Sequence, residues 1–231
     1  WDAIAGDYRA ADGWIRLHTN APHHRRAAQS VLGPHDTREA MAAAVAGWAA
    51  RDLESAVVAA GGCAAQMRST ADWHAHPAGR AVAAEPLVRI DRLAGQPQGW
   101  ALDPARPLAG VRVLDLTRVL AGPTATRFLA GYGAEVLRID PPSWSEPGVE
   151  PEMTLGKTCG RLDAAVPEDR AALERALARA DVLVHGYRSD ALERLGLGAE
   201  ARRSLNPGLI DVSLDAYGFD GPWAGRRGFD S

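Results

Sequence analysis

From Leu108 onward, short apolar runs alternate with amphipathic stretches at a spacing that implies a mostly parallel, doubly wound sheet. Val111 to Leu116 (VRVLDL), Glu135 to Ile139 (EVLRI), Asp181 to Val184 (DVLV) and Leu209 to Leu214 (LIDVSL) read as strands. Gly122 to Leu129, Glu168 to Ala180 and a segment starting at Ala191 read as helices, with Gly133 closing the first. The expected fold class is therefore α/β, built on a Rossmann-like sheet. In such sheets ligands bind beyond the carboxyl ends of the strands. That directs attention to the first strand-to-helix junction, Leu116 to Thr124 (LTRVLAGPT). A helix N-terminus there offers free N–H groups and a positive dipole end to a phosphate. The loop reads AGPTAT and lacks the G-x-G-x-x-G turn, so NAD is not expected, although Asp140 ends the second strand where a ribose-binding acid often sits. On spacing alone, Gly122-Pro123 equally well does no more than start a helix.

Residues 1–85 read differently, as a small α+β domain. Tyr8 to Thr19 carries a hairpin signal, with Asp12-Gly13 as a type I′ turn pair followed by Trp14, Ile15 and Leu17. Pro22 to Leu32 is a helix stopped by Gly33. Asp36 is the expected N-cap of the next, with Glu39 completing a capping box and Met41, Val45 and Trp48 at helical spacing. A further helix runs from about Asp52 to Ala60, ended by Gly61-Gly62. Trp14, Trp48 and Trp73 are expected in its core. Residues 86–107, with four prolines and two glycines, read as a linker, leaving 108–231 as an incomplete Rossmann-like domain.

The net charge of -3 argues against a nucleic-acid partner, and no apolar run is long enough to span a membrane. The histidines cluster as His18, His23, His24 and as His74, His76. The two cysteines, Cys63 and Cys159, lie far from both, so no metal site is expected and a reducing cytoplasm is the default location. The start at Trp1 and the end just after Gly228-Phe229-Asp230 suggest a fragment or a trimmed subunit.

Pro107 to Pro142 (PLAGVRVLDLTRVLAGPTATRFLAGYGAEVLRIDPP) resembles the N-terminal signature of the family III (CaiB/BaiF) CoA-transferases, which include formyl-CoA transferase, carnitine CoA-transferase and α-methylacyl-CoA racemase. The later segments fit in the same order: Gly156-Lys157 with Leu162-Asp163, then Asp181 to Gly196, Asn206-Pro207, Ile210 to Gly218, Gly221-Pro222 and Gly228-Phe229-Asp230. Residues 1–85 resemble the family's small domain, placed here before the nucleotide-binding half, as in a permuted or tandem member.

The resemblance implies an enzyme that moves coenzyme A from an acyl-CoA to a carboxylic acid, through an acyl-aspartyl anhydride and an enzyme-CoA thioester. It implies CoA contacts at Arg118, Val119, Ala121, Gly122, Pro123, Leu162, Tyr187 and Arg194, with Asp230 in the pocket wall. Leu120 and Gly186 depart from the family's polar positions, and Pro141 stands where an arginine often reaches the nucleotide. The family's catalytic aspartate would lie beyond Ser231, so the chain alone is expected to be inactive. A racemase reading is the alternative within the family, but its histidine is replaced by Phe229. A catalytically silent CoA-binding subunit is the other alternative. The resemblance also implies an interlocked homodimer, and at about 3.3 Å per residue the linker could reach roughly 70 Å.

Overall fold

The computed structural model of the chain describes residues 2–93, 95, 99–188 and 191–229. The expected pocket-wall residue Asp230 lies outside them. The chain divides into two compact units, one formed by Trp1–Ala84 with Arg227–Ser231 and the other by Glu85–Arg226. Residues 86–107 thus group with the second unit. The closing residues group with the first because Arg227 donates to the carbonyl of Gly61 and Phe229 stacks on His18 at 3.9 Å.

The first unit carries a three-stranded antiparallel sheet of β1 (Gly6–Arg9), β2 (Trp14–Leu17) and β3 (Ala64–Gln66), in that order. Its helices are α1 (Pro22–Leu32), α2 (Arg38–Ala46), α3 (Ala50–Ala59), α4 (Thr70–Ala75) and α5 (Pro77–Ala84). Strand alternation sends Ile15 and Leu17 into a core with Ile4, Tyr8, Met41, Val45, Leu53 and Val57. Trp48 packs against that core, but Trp14 falls on the opposite face of β2 and is 44% exposed. Trp73 is half-buried and stacks on His76, whose Nδ1 accepts from the N–H of Ala78.

Two expected local motifs are not formed. Arg9 pairs with Trp14 across a four-residue loop, and neither Asp12 nor Gly13 has the positive φ that a type I′ turn requires. The Asp12 carboxylate is drawn elsewhere: it accepts from the N–H of Ala50 at 2.7 Å, at the start of α3, where the preceding Ala49 has no side-chain oxygen to offer. The N-cap of α2 is Thr37 rather than Asp36, because Asp36 is held by Arg25 and Gln29. The capping box lies instead at α4, where Ser69 and Asp72 satisfy each other's backbone N–H groups.

The second unit runs β4 (Arg112–Leu116), α6 (Ala121–Gly131), β5 (Glu135–Asp140), α7 (Glu150–Met153), β6 (Lys157–Arg161), α8 (Pro167–Arg179), β7 (Val182–His185), α9 (Ala191–Arg194), α10 (Ala199–Leu205) and β8 (Ile210–Ser213). All described strand pairs are parallel, in the order β6-β5-β4-β7-β8. The central strands β4, β5 and β7 are buried on both faces, which is why they read as largely apolar runs, whereas the edge strands β6 and β8 are mostly exposed. Leu114 and Leu116 of β4 pack with Leu183, Leu173 and Leu177 on the α8 side. Val113 packs with Val136, Val184 and Leu129 on the α6 side. Each such side chain contributes roughly 1.5–3 kcal/mol by leaving water. Gly133, at φ 101, lets the chain turn out of α6 into β5. The direction of strand succession reverses between β4 and β7, the place where this class of sheet opens a crevice. No described helix is long and apolar enough to cross a membrane.

Candidate functional site

The carboxyl end of β4 delivers a loop, Thr117–Leu120, held by a buried polar layer beneath it. Asp115, fully buried on the α6 side, accepts from the Thr117 N–H at 2.9 Å and from the hydroxyls of Thr117 and Thr126, both at 2.5 Å. Lys157, at the start of β6, donates to the same carboxylate at 2.8 Å, to the Pro123 carbonyl at 2.8 Å and to the Thr126 hydroxyl at 2.7 Å. Both side chains of this ion pair are 0% exposed. Burial, the largest influence, pulls the Lys157 ammonium below its ordinary pKa, while Asp115 acts to keep the charge in place.

Above this layer, Gly122 presses against Thr117: a Cβ at residue 122 would lie 2.3 Å from the Thr117 Cβ and Cγ2. Glycine is what lets α6 begin this close to the strand end. Val119 takes φ 67, the one positive-φ non-glycine among the described residues. For a β-branched side chain that conformation is strained, typically by about 1–3 kcal/mol. It turns the Val119 N–H toward the carboxylate of Glu146, which accepts from it at 2.8 Å.

The loop after β5, residues 141–149, closes over this edge. Trp144 and Tyr187 flank the Arg118 guanidinium at 4.8 and 5.1 Å from their ring centres, and Arg118 Nη2 donates to the Tyr187 hydroxyl at 2.9 Å. Arg118 Nε lies 4.0 Å from Asp140 Oδ1. Arg138, its side chain 1% exposed, donates from Nε to Asp140 at 2.7 Å and from Nη2 to Glu146 at 3.1 Å, and its Nη1 has no hydrogen-bond partner.

Of the residues singled out from sequence, the structure brings Arg118, Val119, Ala121, Gly122 and Pro123 together at one strand–helix junction and joins Tyr187 to them. Leu162 follows β6 at the same carboxyl edge, its N–H bonded to the carbonyl of Asp140 at 3.0 Å. Arg194 is exposed on α9, and the cluster about Arg118 is built without it. Sequence reasoning passed over Trp144, Glu146 and Arg138. The first two lie in a loop without periodicity, and the third reads as a strand residue. Only the fold shows that Trp144 meets Arg118, that Glu146 meets the Val119 amide, and that Arg138 holds Glu146. In the first unit, His18, His23 and His24 stand close together, but the rings of His18 and His24 contact Phe229. Burial, reinforced by the neighbouring charges, pulls His24 down to about 3. Among the described residues no group of three or more His, Cys, Asp or Glu is placed to hold a metal ion.

The arrangement can receive an anion at a strained backbone amide beside two guanidinium groups, with aromatic faces alongside. Known proteins with this architecture sharpen the assignment. The profile of CoA-transferase family III matches residues 108–231, more than half of the chain. The chain belongs to the family III CoA-transferases. Similar members include succinyl-CoA–D-citramalate CoA-transferase of Chloroflexus aurantiacus, 36% identical over 55% of this chain and 35% of the relative. An acyl-CoA transferase of Gibberella moniliformis is 34% identical over 78% of this chain and 34% of its own. Its 191-residue alignment is too long to lie within 108–231, so this relative also shares sequence N-terminal to the large sheet. The crystal structure of Rv3272 from Mycobacterium tuberculosis is 35% identical with a TM-score of 0.50, covering 55% of this chain and 39% of that one. The chain thus spans about a third of the length of the curated family III relatives it matches.

Proposed function

We propose that this chain forms the CoA-binding part of an enzyme that transfers coenzyme A from an acyl-CoA thioester to a carboxylic acid. The observation that carries the reading is the Thr117–Pro123 junction. There a strained amide, a helix N-terminus and Arg118 converge at the sheet's switch point, within the segment matched by the family. In this reading the CoA phosphates meet the Val119 amide and the Arg118 guanidinium, and adenine stacks beside Tyr187. Ala121, Gly122 and Pro123 shape the wall, Leu162 lines the far side, and Arg194 pairs with an outer phosphate.

Transfer would follow the covalent route of the family: a carboxylate attacks the thioester and expels CoA thiolate to give a mixed anhydride. The thiolate then attacks the enzyme's side of the anhydride, releasing the donor acid and leaving an enzyme-bound CoA thioester. The site must exclude water, because the anhydride hydrolyses readily. No metal and no nicotinamide enter the scheme. A reducing compartment such as the cytoplasm suits the two free cysteines. The apolar side chains of Leu87, Val88, Ile90 and Leu102, each 71% exposed or more, favour a homodimer that covers them. Sedimentation of the full-length protein at micromolar concentration reads this directly, and a monomeric mass would remove it.

The succinyl-CoA relative makes succinyl-CoA a rational first donor. The full-length protein, incubated with succinyl-CoA and a panel of dicarboxylic acids, is expected to yield new acyl-CoA esters without accumulating free CoA. Release of free CoA alone, or epimerisation of a 2-methylacyl-CoA without exchange, would replace the transferase reading.

A further inference from the structure

The Val119 amide is already occupied, by a group that mimics a phosphate. One oxygen of Glu146 accepts from the Val119 N–H at 2.8 Å and the other from Arg138 Nη2 at 3.1 Å. The Glu146 side chain is only 10% exposed, and the Arg138 side chain that meets it is 1% exposed. These are the donors a phosphate would use: a backbone N–H in a left-handed loop at a helix start, and a guanidinium. One donor is idle. Arg138 Nη1 is buried without a hydrogen-bond partner, and so is the indole N–H of Trp144 on the same loop. A carboxylate has two oxygens and reaches two donors. A terminal phosphate has three and can also engage Nη1.

We infer that Glu146 is a displaceable counter-anion that keeps this site closed until a phosphate of the incoming coenzyme replaces it. The inference rests on the CoA-binding reading above and adds a control to that same site. Glu146 sits on a segment free of helix or strand between Asp140 and α7, bounded by Pro141, Pro142, Pro147 and Gly148. Few contacts hold the loop shut: the Trp144 ring on Arg118, the Trp144 carbonyl accepting from Arg161, and Glu146 itself. Swinging the loop outward frees the Val119 amide and Arg138 Nη2, which Glu146 holds, and the face of Arg118 that Trp144 covers. Asp140 stays on Arg138 Nε, so the guanidinium keeps its position and one negative partner. If Glu146 were instead a permanent strut, removing it would disorder the loop and weaken the coenzyme, the opposite sign.

The test is calorimetric titration of the 231-residue chain with CoA and, separately, with inorganic pyrophosphate. The chains compared are the wild type, Glu146→Ala and Glu146→Gln. Removing the competing carboxylate is expected to tighten both ligands on the order of tenfold in Glu146→Ala. Glu146→Gln should give a smaller gain of the same sign. A thermal melt checks that each variant folds, and the glutamine variant, which keeps shape and an acceptor oxygen, carries the test if the alanine variant does not. CoA affinity that is equal or weaker in the variants overturns the inference and leaves the CoA reading standing. Tighter pyrophosphate with no CoA binding in any chain supports the displaceable anion and removes the CoA reading. Absence of binding by either ligand to every chain overturns both.

Discussion

Replacing Lys157 by methionine is expected to cost the five-stranded unit about 3–5 kcal/mol. Lys157 and Asp115 are both 0% exposed and 2.8 Å apart, so methionine leaves an unpaired carboxylate in a site water cannot reach. The hydroxyls of Thr117 and Thr126 and the Thr117 N–H would still bond it, but none carries a charge. For a unit of this size the midpoint of thermal unfolding should fall by roughly 10 °C or more. Removing both charges together, Lys157→Met with Asp115→Leu, should recover part of the loss, because no buried charge remains, although the Thr117 N–H and hydroxyl and the Thr126 hydroxyl lose their shared acceptor. Chemical denaturation of the four chains gives the coupling energy. A single-variant loss below about 1 kcal/mol would mean that the pair is hydrated or open.

The second large effect is expected from Gly122→Ala. The added Cβ would lie 2.3 Å from two carbon atoms of Thr117, and Thr117 cannot rotate away without giving up its bond to Asp115. Overpacking of this kind costs about 1–3 kcal/mol, and the exposed side of the junction is where the strain can be relieved. The Arg118–Leu120 loop should shift, and CoA affinity should fall by roughly tenfold to a hundredfold, at 1.4 kcal/mol per factor of ten. Titration of the variant with CoA measures this. Unchanged affinity would show that the junction does not set the coenzyme's position.

The strands of the large sheet were legible because both faces of β4, β5 and β7 are buried, leaving apolar runs that loops do not imitate. The fifth strand was not. Lys157 to Arg161 (KTCGR) is polar, lies at the sheet edge and, among the described residues, pairs with β5 alone, so its strand character comes from the register rather than from its own side chains. The hairpin of the first unit shows the converse case. Asp12-Gly13 carries the right residues for a tight turn, but the Asp12 carboxylate is more useful at the uncapped start of α3, 38 residues away. Helix α2 makes the same point, since Arg25 and Gln29 claim Asp36 and leave the cap to Thr37.

At the candidate site, the junction from Arg118 to Pro123 could be placed from the strand–loop–helix pattern, and Tyr187 followed from the resemblance. Trp144 and Glu146 could not. They act on residues 26 and 27 positions earlier in the chain, across two adjacent strands, and no periodicity marks them. Arg138 was hidden for another reason: inside an apolar strand an arginine reads as an edge residue, whereas here two carboxylates hold it buried.

The central claim is that the Thr117–Pro123 junction takes coenzyme A rather than a nicotinamide dinucleotide. Its most direct measurement is backbone amide NMR of the labelled chain during parallel titrations with CoA and NAD. Saturable shifts are expected with CoA, largest at Arg118, Val119, Gly122 and Tyr187, and no saturable shifts at those residues with NAD. Saturation by NAD at these amides, or CoA shifts confined to residues outside the β4–α6 junction, would contradict it.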